Sequence, residues 1–393
     1  MKDKLSVMFL AGEASGDGLA AELLQGLRSL LSQTGRSVDA FGAGGERLKN
    51  AGAEIAIDLT QHAVVGIIEV LKHFNTLKGF FLKLLDLARA KRPDVIILVD
   101  YPGFNLRFAK VLKKWVRQHP DSGWDPKIVQ FISPQIWAWH ESRIHQIARD
   151  MDMVLSIFPF EKAWYAQRAP QLRVEYVGHP LMDRYKEYAP QVGTRQPSEP
   201  YHVLLLPGRR ETELNRHLPV LGKTMALISK QVKAEFRLVV PQEKLIPYVR
   251  NSLSGVLDRV SLEILPKKLA ESLLWADSAI ASSGTVTMEC AYFQVPTAIL
   301  YKTSLFTEIL GRMFIKVEYI GMPNLLLNNK EVYPEFIQRE ATPENLSEAT
   351  LRFLTKMDVR NSVQADLRKM LSELGGEGAC KRAAEQILKL IDV

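Results

Sequence analysis

The chain has only two cysteines in 393 residues, Cys290 and Cys380. They form no CxxC pair and no metal-ligand spacing, which excludes a disulfide framework and points to a reducing cytosol. No uninterrupted apolar run reaches the roughly 18 residues of a membrane span. Lys2 and Lys4 precede a short apolar run, as in a signal peptide, but Glu13 and Asp17 follow too soon, and the run reads as a first strand. Low-complexity tracts are absent. So is any RRM, KH or zinc-finger signature, which leaves nucleic acid without a motif to support it. No GxGxxG follows the first strand, and this argues against a dinucleotide site. Asp150-Met151-Asp152 has the letters of a metal-binding DxD but precedes its strand, at the wrong end of a sheet.

What remains is a globular composition, 47% hydrophobic and 24% charged, long enough for two domains. Lys and Arg number 51 against 44 Asp and Glu, a net charge of +7. That balance suits a mildly basic enzyme surface, or a negatively charged partner such as a phosphorylated substrate or the anionic face of a membrane. Short Val/Ile/Leu-rich runs alternate with helical stretches. The clearest strands are Ser6–Ala11, Asp94–Val99, Lys127–Ile132 and Met153–Ile157, then His202–Leu206, Arg237–Val240, Ser278–Ala281 and Thr297–Tyr301. Such runs are buried parallel strands, and helices between them imply right-handed crossovers. Pro190, Gly193, Pro197 and Pro200 mark a linker over 189–200. The expected organisation is therefore α/β, with doubly wound domains over 1–188 and 201–355 and C-terminal helices over 356–393. Gly375-Gly376-Glu377-Gly378 separates the last two helices.

Ligands of open α/β sheets bind outside the carboxyl ends of the strands. Gly12-Glu13-Ala14-Ser15-Gly16-Asp17 makes such a corner after the first strand. Gly12 and Gly16 permit a sharp turn and close approach, and Ser15 or Asp17 can cap the next helix. Asp100-Tyr101-Pro102-Gly103-Phe104-Asn105 follows another strand; Asp100 could take a proton from an attacking hydroxyl or cap a helix. In Ser133-Pro134-Gln135-Ile136-Trp137-Ala138-Trp139-His140 the two tryptophans can wall a sugar or acyl site, or sit in a core. Pro207-Gly208-Arg209-Arg210 suits a diphosphate, whose charge forked arginine donors offset. Ser282-Ser283-Gly284-Thr285 opens a helix whose N–H groups can meet an anion. Glu289, one turn on, could hold a ribose diol. Asn324, in Gly321-Met322-Pro323-Asn324, could contact a nucleotide or hold a turn.

Between Ala63 and Ala88, Val70, Phe74, Leu77, Phe81, Leu84 and Leu85 recur at helical spacing, and Phe80, Phe81 and Leu82 widen the apolar face. A helix covering a sheet needs only one such stripe. The width and the basic flanks here also fit an interfacial helix on anionic lipid.

Together with Val177-Gly178-His179-Pro180-Leu181, these clusters, in this order and spacing, resemble the lipid-A-disaccharide synthase family over nearly the whole chain. The resemblance implies a B-type glycosyltransferase fold, two Rossmann-like domains facing across a cleft. It implies inverting transfer from UDP-2,3-diacylglucosamine to 2,3-diacylglucosamine 1-phosphate, giving a β(1→6) disaccharide 1-phosphate and UDP. No metal or cofactor is implied. Members sit peripherally on the cytoplasmic face of the inner membrane of Gram-negative bacteria, and can form homodimers by exchanging C-terminal segments. By position, Asp100 resembles the family's general base, Arg210 its functional arginine, and Glu289 and Asn324 nucleotide-site residues. Arg209, Tyr101 and His140 depart from the residues common at their places. A UDP-N-acetylglucosamine 2-epimerase shares the two-domain layout and is the competing enzyme reading. A membrane-bound nucleotide-sugar-binding protein without chemistry is the other.

Overall fold

The computed structural model describes residues 3–62, 74–303 and 317–391, with the side chains of His62 and Phe74 left aside. Among these residues, thirteen strands form two wholly parallel sheets. The chain divides into two compact units, Met1–Asp183 with Leu374–Val393, and Arg184–Glu373.

In the first unit the strands are β1 (Lys4–Ala11), β2 (Ser37–Gly44), β3 (Glu54–Asp58), β4 (Val95–Val99), β5 (Lys127–Phe131), β6 (Met153–Ser156) and β7 (Arg173–Tyr176). Their order is β3-β2-β1-β4-β5-β6-β7, so the winding reverses between β1 and β4. That reversal puts the Gly12–Asp17 and Asp100–Asn105 corners side by side at the carboxyl edge, where the two connections leave in opposite directions. The second unit repeats the plan with β8 (Tyr201–Leu206), β9 (Ala234–Val240), β10 (Ser261–Pro266), β11 (Ser278–Ser282), β12 (Thr297–Tyr301) and β13 (Glu335–Ile337). Its order is β10-β9-β8-β11-β12-β13, with the switch point between β8 and β11.

The central strands are those whose apolar runs stand out in the sequence, because they are covered on both faces. β4 is buried at all five positions. The strands left unread lie at or next to the edges. β3, β7, β10 and β13 carry partly exposed, polar positions. The buried half of β2 holds Phe41 among two Ala and two Gly, which gives little hydrophobic signal. Gly42 is required there: its φ is +136°, and a Cβ would lie 2.1 Å from the Phe9 carbonyl oxygen.

The Phe74–Lys91 helix corrects part of the lipid-facing stripe. Leu84 is fully buried in the core of the first unit, with Leu85 beside it. Phe80 and Phe81 pack against that core, and Phe81 meets the rings of Phe104 and Phe108 edge-on at 5.4 and 6.1 Å. Leu77 is half-buried, and Leu82 is 50% exposed. The apolar stripe covers the sheet, as any helix of a doubly wound domain must. Val70 lies outside the described residues, and only the backbone of Phe74 is described.

The helices beyond residue 355 part company. Met357–Ser372 belongs to the second unit, and Ala379–Ile391 packs back on the Ala14–Ser32 helix of the first. Asp183 fixes this return: its carboxylate accepts from the amides of Gly378 at 2.6 Å and Ala379 at 2.9 Å, the first turn of the last helix. Arg382 donates to the Val177 carbonyl at 2.7 Å, and His179 N to that of Leu374 at 3.0 Å. Asp183→Ala is therefore expected to lower stability by about 1–3 kcal/mol and to expose the last helix to trypsin. A reduced urea midpoint together with faster cleavage beyond residue 373 checks this.

Candidate active site

At the end of β4 the backbone takes an unusual course. Asp100 and Tyr101 both have φ of +48°, a conformation L residues rarely adopt. Four hydrogen bonds hold it. Asp100 N donates to the Phe131 carbonyl at 3.0 Å. The Asp100 carbonyl accepts from Asn105 Nδ2 at 2.7 Å and Gln130 Nε2 at 3.3 Å. Asn105 Nδ2 also reaches the carbonyl of Val99 at 3.3 Å. The Tyr101 ring then folds over the neighbouring corner, so closely that a Cβ on Gly12 would stand 2.2 Å from its Cδ1. It stacks on Phe104 at 5.9 Å. Burial, with the charge of Glu13, pushes the Tyr101 hydroxyl pKa up, so it stays a phenol. The result is a half-buried Asp100 at the carboxyl edge, on a backbone that cannot relax.

Several residues anticipated as ligand contacts are structural supports instead. Asn105 is 1% exposed, its amide turned to the backbone as just described. Asp17 is buried, and its carboxylate accepts from the amides of Gly45, Arg47 and Leu48, at the start of the Glu46–Asn50 helix. Asn324 is fully buried, with all four hydrogen-bonding positions engaged by Val332, Tyr333 and Glu335. These corrections share one cause: a small polar side chain at a strand end satisfies the backbone of the adjoining turn before it can meet a ligand. Gly16 approaches the Val99 carbonyl and packs two elements together. Ser15 remains exposed at the start of its helix.

The loop after β5 is held from beneath. Trp137 donates its indole N–H to Glu161 Oε1 at 3.1 Å and meets Phe160 edge-on at 5.0 Å. Glu161 Oε2 accepts from Phe158 N at 3.2 Å. Burial raises the Glu161 carboxyl to about 7, against the lowering effect of its bonds to Ser133, Trp137 and Phe158. Trp139, by contrast, is 41% exposed.

In the second unit, Gly208 has φ of +115°, and its missing Cβ makes room for Glu213. Glu213 Oε2 accepts from the amides of Arg209 at 2.8 Å and Arg210 at 3.3 Å. Its other oxygen lies 3.6 Å from the Arg210 guanidinium. His217 braces the same turn. One ring nitrogen meets the Pro207 carbonyl at 2.7 Å, and the other accepts from Lys302 N at 3.0 Å. The backbone amide can only donate, so Nε2 is bare and Nδ1 carries the proton. Burial drives the His217 pKa down, in keeping with the neutral ring.

After β11, Gly284 has φ of +138° and leads into the Thr285–Tyr292 helix. Gly284 and Thr285 are exposed and Ser283 half-buried, so the helix start is open to solvent. Glu289 is buried, and burial raises its pKa. Tyr185 Oη at 2.8 Å and Arg184 at 3.4 Å both bond to its Oε1. This residue thus anchors the first residues of the second unit.

Two corners of a doubly wound plan, one acidic and one rich in anion donors, are shared by many nucleotide-sugar enzymes, and the fold alone does not choose among them. The lipid-A-disaccharide synthetase family model matches residues 7–391. The chain belongs to the lipid-A-disaccharide synthetase family. The lipid-A-disaccharide synthase of Trichlorobacter lovleyi is 34% identical over 98% of this chain and 97% of its own length. Among solved structures, the calicheamicin glycosyltransferase CalG4 is similar with a TM-score of 0.57 and 14% identity, over 100% of this chain and 99% of that one. The UDP-GlcNAc 2-epimerase of Neisseria meningitidis, bound to UDP-GlcNAc, matches at 0.57 and 11%, over 99% of each chain. Those identities carry the fold only. As a lipid-A-disaccharide synthetase family member, the chain is a glycosyltransferase of lipid A biosynthesis. The epimerase and non-catalytic readings are set aside.

Sequence reasoning missed Glu161, Glu213, His217 and the Tyr185–Glu289 bond. Gln130 had a signal: a lone amide inside an otherwise apolar strand. Glu161 and His217 respond to pH in opposite directions. Glu161 holds its proton in the fold and loses it on unfolding, so its contribution falls as pH rises from 4.5 to about 7. The depressed His217 favours the fold above about pH 6.5 and loses that advantage as pH falls. Glu161→Gln should remove the loss of stability as pH rises from 4.5 to about 7, and His217→Gln the loss as pH falls below about 6.5. Urea midpoints across pH for both variants check the signs.

Proposed function

We propose that the chain transfers the glucosaminyl unit of UDP-2,3-diacylglucosamine to the 6-hydroxyl of 2,3-diacylglucosamine 1-phosphate. The products are a β(1→6)-linked disaccharide 1-phosphate and UDP. The observation that carries this reading is the locked Asp100–Tyr101 turn: it presents one carboxylate at the switch point of the first sheet. Asp100 receives the 6-hydroxyl proton as that oxygen bonds to the anomeric carbon and the bond to the UDP oxygen breaks. Gly12, Ser15 and Trp137 lie on the acceptor side, in the unit over 1–188.

The second domain, over 201–355, takes the nucleotide. Arg210 offsets the charge that builds on the leaving diphosphate, with Gly208 allowing the backbone to approach. The amides at Gly284 and Thr285, beside the Ser283 hydroxyl, receive the remaining phosphate oxygens. Glu289 offers Oε2 to the ribose diol while Oε1 stays with Tyr185 and Arg184. Glu213 and His217 keep the arginine turn in place, and Asp17, Asn105 and Asn324 act through the backbone they hold.

The acyl chains require the enzyme to work at the cytoplasmic face of the inner membrane. Support comes from the exposed Leu82 with Lys78 and Lys83 on the same helix, an apolar and basic combination suited to anionic lipid. No described helix is long and apolar enough to cross a membrane. The last helix, which packs a buried apolar face on the Ala14–Ser32 helix, is also the segment a homodimer would exchange.

Asp100→Asn is expected to leave the urea midpoint in place and lower turnover by a factor on the order of 10² or more. Mass spectrometry of products from both acylated sugars, with a rate for each variant, measures it. Near-normal turnover would remove Asp100 from the chemistry. Leu82→Ser with Lys83→Gln should weaken partition onto phosphatidylglycerol vesicles without loss of stability. Phe81→Ser or Leu84→Ser should instead destabilise the first unit, since both touch its core.

A further inference from the structure

Several cations around the first sheet have acidic partners. Arg117 and Arg149 share Asp150, Lys113 lies between Asp125 and Asp152, and Arg173 and Lys162 meet Glu175. Arg107 and Arg143 differ: among the described residues neither forms an ion pair with a carboxylate. Arg107 is exposed on the Pro102–Gln118 helix, which begins two residues after Asp100. Its position is about 8 Å along the helix from Pro102. Arg143 ends the turn Glu141–Arg143, just after the tryptophan loop that leaves β5. Both therefore belong to the carboxyl edge that holds Asp100.

The fold holds the Pro102–Gln118 helix, which carries Arg107, against the Ile144–Asp150 helix, which follows Arg143. Gln146 Nε2 donates to the Leu106 carbonyl at 2.8 Å, pinning the Ile144–Asp150 helix against the residue before Arg107. Glu141, the nearest acid in sequence to Arg143, is drawn away to Arg168 at 2.6 Å. The Arg143 guanidinium lies over the exposed Trp139 ring, 5.4 Å from its centroid. Half-burial, and then the charge of Arg107, act to lower its pKa. Two guanidinium groups held close, one supported on an aromatic face and neither neutralised, cost the free protein energy that a doubly charged anion would return.

We infer that Arg107 and Arg143, with Trp139, form a subsite for a phosphate monoester, the one carried by the acceptor sugar. This deepens the proposed function and rests on it. The phosphate binds here while the hydroxyl to be glycosylated lies toward Asp100. Arg107 and Arg143 are positioning residues: they fix the acceptor and take no proton.

The full chain carrying Arg107→Gln, Arg143→Gln or both tests this in steady-state assays with separately varied donor and acceptor. Each single variant should raise the KM for the phosphorylated acceptor by about tenfold. The KM for the nucleotide sugar should stay within about twofold. The preference for the phosphorylated acceptor over its dephosphorylated form should collapse in the double variant. Arg143→Lys, which keeps the charge, should recover part of the loss. Unchanged acceptor KM and unchanged preference would overturn the subsite. So would a loss confined to binding of phosphatidylglycerol vesicles, which would make the pair a lipid-headgroup site. A wild-type chain that transfers no sugar to the phosphorylated acceptor would fail at the earlier step and sink the functional reading itself.

Discussion

Asn105 holds the end of β4 in a course that the chain would not keep unaided. Two successive side chains in the left-handed region cost about 1–3 kcal/mol each. The amides of Asn105 and Gln130 both reach the Asp100 carbonyl, and the backbone of β5 accepts from the Asp100 amide. The direction of the Asp100 carboxylate follows from this turn. So does the lid that Tyr101 makes over Gly12, which in turn requires a residue without a side chain there. A backbone in a rare conformation, bonded at both ends, holds the carboxylate it carries in one place.

The second unit meets the same demand by different means. The Pro207-Gly208-Arg209-Arg210 turn is arranged by an acid and an imidazole behind it. Glu213 gathers the amides of both arginines, and His217 ties Pro207 to the end of β12. Both units therefore use polar side chains at strand ends to fix backbone, and leave the exposed backbone and a few charged groups for substrate.

The sequence revealed the central strands, both switch-point corners and the order of the motifs, since these rest on buried apolar runs and on glycine, which read locally. Edge strands such as β3 and β13 were hidden because none of their positions is fully buried. The site was only partly legible. Asp17, Asn105 and Asn324 have the composition of ligand contacts, and only their three-dimensional partners show that the backbone claims them. Leu84 and Phe81 show the same limit from the apolar side: a stripe at helical spacing looks alike whether a sheet or a lipid covers it. Glu161 and His217 gave no signal at all, because burial makes them matter and burial of a polar residue is invisible in a pattern.

The first unit is discontinuous in the chain: its last helix is synthesised only after all of residues 184–373. The face of the Ala14–Ser32 helix that receives Ala379–Ile391 stays uncovered throughout that interval, and Gly26, packed against Ala384, has no neighbour there. On the ribosome the second unit, uninterrupted from Arg184 to Glu373, can close first. The earlier-made unit must wait, with apolar surface open, for the final stretch of chain to come home.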